Sequence, residues 1–78
     1  MKQLIIQPND FYQIGGNNYW KIKIGNICYS DINSDLSKID KYMLEIICKY
    51  CELDYKGLKK HQLVELITNS GCLVINHN

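Results

Sequence analysis

The densest chemistry in this 78-residue chain lies in the run CKYCELDYKGLKKHQL, Cys48 to Leu63. Cys48 and Cys51 stand three apart, and His61 follows ten residues after the second. With Cys72 they match the number and kind of ligands in a tetrahedral zinc site, and His77 is the other imidazole. A second reading competes. Lys49-Tyr50 between the thiols continues a helical pattern, which places Cys48 and Cys51 on one apolar face. Free cysteine behaves there as a small hydrophobe. No second CxxC exists, so packing is preferred over the metal set Cys48, Cys51, His61 and Cys72. A redox dithiol is the third reading. No cofactor is expected. No serine, cysteine or acid sits in a nucleophile or phosphate-loop context, so enzyme activity is not expected either.

The second half of the run is basic. Lys56, Lys59, Lys60 and His61 fall within six residues. If a helix begins there, its unpaired N–H groups and partial positive charge suit a phosphate. The same dipole disfavours lysines by about 0.3–1 kcal/mol each unless an anion joins them. The plainer alternative is a solvated lysine face. All nine basic residues are lysine, a mobile point charge rather than a bidentate fork, which favours backbone contact over base reading. The Lys/Asn/Ile/Tyr bias is also what A·T-rich coding yields. Net charge is only +1, so any electrostatic role must be local.

The elements that would position these residues can be read on both sides. Residues 2–7, KQLIIQ, form a short apolar run stopped by Pro8-Asn9-Asp10. FYQI and YWKIKI flank Gly15-Gly16-Asn17-Asn18, a hairpin signal. Trp20, Ile22 and Ile24 alternate with Tyr19, Lys21 and Lys23, the period-two pattern of a half-buried strand. Gly25-Asn26 then turns the chain into ICYS. A helix is predicted from about Asp35 to Cys51, with an apolar stripe wide enough to be buried on two sides. A second helix is predicted near Leu58 to Asn69, with Gly71 as a left-handed C-cap. CLVI, residues 72–75, could add a strand to the sheet, and INHN reads as a frayed end.

The expected architecture is therefore α+β in a single domain over residues 1–78. It has a small antiparallel β-meander over 1–30, a helix–extended–helix module over 35–69 and a C-terminal strand over 72–75. With 46% hydrophobic and 22% charged residues the composition is globular. No apolar run approaches the ~20 residues of a membrane span, so no membrane partner is expected. The opening MKQLIIQPND does not read as a signal peptide. A cytoplasmic, reducing setting with unpaired thiols follows as the expectation.

Tyr42 to Ile67, YMLEIICKYCELDYKGLKKHQLVELI, resembles the helix–extended-loop–helix modules of the HeH, SAP and Rho N-terminal type. Leu44, Ile47, Cys48 and Cys51 stand where those modules place leucine, leucine, alanine and leucine, and Leu53 where an apolar residue closes the first helix. Tyr55 matches the aromatic of the extended loop. Leu58, Lys59, Lys60, Leu63 and Val64 match the opening of the second helix. About a third of the chain is covered. The connection is one residue shorter than in the Rho-type pattern, and Lys56 replaces the serine that often caps the second helix, which leaves Gly57 as a weaker cap. The resemblance implies two roughly parallel helices and a role with nucleic acid, DNA or RNA.

Two further readings stand beside it. Phe11, Tyr12, Tyr19 and Tyr29 give the meander an aromatic load that could stack bases or bind a protein partner. A compact phage or viral protein blocking a host factor would fit such a chain. An edge strand over residues 2–7 could also pair with a second copy and give a homodimer.

Overall fold

The computed structural model describes residues 2–76. The expected frayed end lies partly outside them, since His77 and Asn78 are not among the described residues. The elements run β1 (Leu4–Ile6), β2 (Phe11–Ile14), β3 (Asn17–Ile24), β4 (Ile27–Asn33), α1 (Lys41–Tyr50), α2 (Lys60–Ser70) and β5 (Leu73–Ile75). Short 3₁₀ turns at Pro8–Asp10 and Leu36–Lys38 precede β2 and α1. The fold is α+β, with β2–β3–β4 an antiparallel meander and the two helices following it.

The first hairpin turns on Gly15 and Gly16, at φ 56° and 84°. A tight two-residue turn needs positive φ at both places, which glycine adopts without a Cβ clash. Trp20 and Ile22 then point inward while Lys21 and Lys23 face solvent, as the alternation predicts. The β3–β4 register shifts between Trp20 and Ile22, and Asp31 on the facing strand takes φ 59°. The Tyr12 hydroxyl holds it there: it accepts the Asp31 N–H at 2.6 Å and donates to the Asp31 carboxylate.

Three expectations are corrected. The chain 72–75 does not extend the meander; β5 pairs in parallel with β1, Leu4 against Leu73 and Ile6 against Ile75. That pairing occupies one edge of the strand considered for self-association. The helix expected from Asp35 begins instead at Lys41. Asp35 caps the 3₁₀ turn through Ser37, Ile39 is extended and buried, and the Asp40 carboxylate accepts the Met43 N–H at 2.9 Å to start α1. Burial of Ile39 between two capping acids breaks the helix that local pattern would continue. The second helix begins at Lys60, with Lys59 rather than Gly57 at the N-cap. Gly57 sits at φ 79° in the turn closed by the Leu58 N–H on the Tyr55 carbonyl at 3.3 Å.

One core joins all these elements. Trp20 and Ile22 of the meander and Leu4 and Ile6 of the parallel pair meet Leu44 and Ile47 of α1 and Leu63 and Ile67 of α2. Cys48, Cys51 and Cys72 are fully buried in the same cluster. Among the described residues, Trp20 Nε1 is the buried side-chain polar atom with no hydrogen-bond partner in the protein. Truncating a fully buried leucine such as Leu44 to alanine is expected to cost about 2–5 kcal/mol.

Candidate nucleic-acid interface

The segment from Cys51 to Lys59 is non-helical and carries the chain from the end of α1 to the start of α2. It is pinned by half-buried Leu53, Tyr55 and Leu58, which pack on the core, while Asp54, Lys56 and Lys59 face solvent. Tyr55 shares a hollow with Tyr42 and Glu45 from the first turns of α1, so the segment returns along that helix. The start of α2 lies beside the 3₁₀ turn that precedes α1: Ser37, Lys60, His61, Val64 and Glu65 line a hollow of about 460 Å³. Both helices therefore begin at the same end of the molecule.

The two helix starts are chemically unlike. At α1 a carboxylate, Asp40, accepts from Met43. At α2 the N-cap is Lys59, and an ammonium has no lone pair to offer the first N–H groups. Gln62 reaches back to accept the Lys59 N–H at 2.8 Å, but no N-cap side chain accepts from the first turn of α2. No acid occupies that turn, and Lys59, Lys60 and His61 are exposed. Glu65 sits one turn further on in the same hollow. Ser37, which lines that hollow, donates from its hydroxyl and N–H to Asp35, and these bonds hold the Asp35 carboxyl below the usual range. Lys56, Lys59, Lys60 and His61 are thus brought to one end of the molecule, with Tyr55 supporting the segment that bears them.

The thiols lie elsewhere. Burial, with Cys72 alongside, pushes Cys48 up to about 11 and Cys51 up to about 12. Such thiols stay protonated at neutral pH, the opposite of what a redox nucleophile needs. His61 faces the α2 hollow rather than the thiol cluster. Among the described residues, no group of three or more His, Cys, Asp or Glu side chains is arranged to hold a metal ion. Cys28 is the exposed cysteine.

The meander aromatics do not form one patch. Tyr12 and Tyr19 stack on the outer face at 5.9 Å between centroids, with Lys21 Nζ 5.9 Å over the Tyr12 ring. Phe11 faces a separate hollow with Pro8 and Ile75. Tyr29 joins Tyr42, Ile46 and Tyr50 against α1. Sequence reading missed that last grouping. Tyr42, Ile46 and Lys49 recur at helical spacing beside the main apolar stripe, and that offset second stripe was the available signal.

Comparison with protein-family models, with curated proteins and with solved structures finds no match to this chain. Among the described residues, no helix is long and apolar enough to cross a membrane.

Proposed function

We propose that this is a small nucleic-acid-binding module that contacts the phosphate backbone through the start of α2, with little sequence preference. The observation that carries the reading is the open, basic helix start: Lys59 at the N-cap, Lys60 and His61 in the first turn, and no acid within that turn. Free N–H groups, the helix dipole and two ammonium groups all favour an anion at that point. Lys56 on the preceding turn adds a third cation on the same approach. The resemblance to helix–extended–helix modules agrees with this reading and covers the same residues. Lysine without arginine suits phosphate contact, which positions a protein on nucleic acid without reading its sequence.

The test is binding of labelled DNA and RNA across a salt series. The expected result is an affinity that falls linearly in log–log form with salt, and a Lys59→Ala/Lys60→Ala variant that binds more weakly with a shallower slope. A variant that binds as tightly as the parent at every salt concentration would remove the site.

A further inference from the structure

Two adjoining hollows of about 410 and 310 Å³ run along the exposed side of α1 and share Tyr42, Ile46 and Lys49. Four tyrosines from three parts of the chain converge on them: Tyr29 from β4, Tyr42 and Tyr50 from α1, and Tyr55 from the connecting segment. Tyr42 is 73% exposed, the most exposed large hydrophobic side chain among the described residues. Lys2 and Lys49 stand at the rim, with the Lys2 ammonium 5.6 Å over the Tyr50 ring.

We infer that this tyrosine surface is a stacking platform for the bases of single-stranded nucleic acid, continuous with the basic start of α2. The inference rests on the proposed phosphate contact and specifies its substrate class. Continuity comes from the Tyr55–Leu58 turn: Tyr55 lines the hollow, and the exposed Lys56 and Lys59 follow it in the chain within and just after that turn. Charge agrees. Lys2 and Lys49 line the hollows with Glu45 and Glu52, and Lys56, Lys59 and Lys60 follow Tyr55 within five residues, so five of the nine lysines of a nearly neutral chain belong to the hollows or to the segment that leaves them. Aromatic faces set among cations are what unpaired bases and their backbone require, and stacking tolerates any base. A duplex keeps its bases stacked inside and offers these rings nothing. Glu45 and Glu52 line the hollows, and a carboxylate repels phosphate but accepts from an exocyclic amine of a base. The bases therefore face α1, and the backbone runs along the lysine rim.

The experiment measures anisotropy of a labelled mixed-sequence 15-mer, as single strand and as duplex, with the parent, Tyr42→Ala, Tyr42→Trp and Lys59→Ala/Lys60→Ala. The parent is expected to prefer the single strand. Tyr42→Ala loses roughly tenfold on the single strand with its salt slope unchanged, and Tyr42→Trp retains binding. Because Tyr42 is on the surface, circular dichroism and melting of its variants are expected to match the parent. Equal binding of strand and duplex, or a Tyr42→Ala variant as tight as the parent, overturns the platform while the lysine-dependent salt slope leaves the phosphate site standing. If the parent binds neither probe, both readings fall. A protein retained after nuclease treatment, and lost in Tyr42→Ala, overturns the platform and assigns the surface to a protein partner.

Discussion

The two helices of this module are closed at opposite ends. α1 starts on Asp40, whose carboxylate takes the Met43 N–H, and ends on Glu52 in the left-handed region at φ 62°. α2 starts on Lys59, which cannot cap, and ends on Gly71 at φ 68°, where glycine fits without strain. The end of α1 is a Schellman closure: the Leu53 N–H reaches the Cys48 carbonyl at 3.0 Å and the Glu52 N–H reaches Lys49 at 3.2 Å. That geometry normally recruits glycine at the position Glu52 holds. Each helix thus satisfies local rules at one end and departs from them at the other. Both departures face solvent, beside the surfaces assigned to binding, and such departures gather where function competes with stability.

The contrast can be broken in graded steps. The largest effect concerns the buried face of α1, which carries thiols where α2 buries Leu63 and Ile67. Cys48 and Cys51 ionise near the ordinary thiol value of 9.0 when unfolded, but burial pushes them up to about 11 and about 12 when folded. The folded state therefore holds more protons in that window, and stability is full below about pH 9 and declines as pH rises towards the folded values. The slope reaches about 1.4 kcal/mol per pH unit for each thiol. Urea unfolding at pH 8 and pH 10 measures it, and a flat profile would show that these thiols are hydrated.

Removing the good cap comes next. Asp40→Ala is expected to cost about 0.5–2 kcal/mol in chemical denaturation while leaving nucleic-acid binding as it was. Giving α2 the cap it lacks is the converse: Lys59→Ser stabilises by about 0.5–1 kcal/mol and weakens binding. A Lys59→Ser protein that gained stability and kept full affinity would separate the open helix start from function. The smallest step repairs the end of α1. Glu52→Gly relieves the left-handed backbone and is expected to raise stability by up to about 1 kcal/mol, read as a higher midpoint in urea.

These departures also explain what could be read from the chain. Gly15-Gly16, the Trp20/Ile22 alternation and Gly71 obey local rules, so the meander and the end of α2 were legible. The start of α1 was not, because Asp35 and Asp40 are equally good caps. Burial of Ile39 in the core decides between them, a tertiary effect no local window contains. Lys59 as an N-cap and Glu52 in a glycine position contradict propensity outright, and the family resemblance pointed to Gly57 for the cap instead. The β1–β5 pairing joins the two ends of the described chain, and nothing in LII or LVI distinguishes that edge from the meander's. The basic cluster was visible because its four residues are close in sequence. The tyrosine surface was not, because Tyr29, Tyr42, Tyr50 and Tyr55 meet only after folding.

The central claim is that an open, lysine-bearing helix start binds phosphate, and its most direct measure is the salt slope of nucleic-acid affinity. Parent, Asp40→Ala and Lys59→Ala/Lys60→Ala are titrated together against one single-stranded probe from low to physiological salt. The account predicts parallel lines for the parent and Asp40→Ala, and a line shallower by about 1.4 for the double variant, two phosphate contacts at about 0.7 each. Three coincident lines would contradict it.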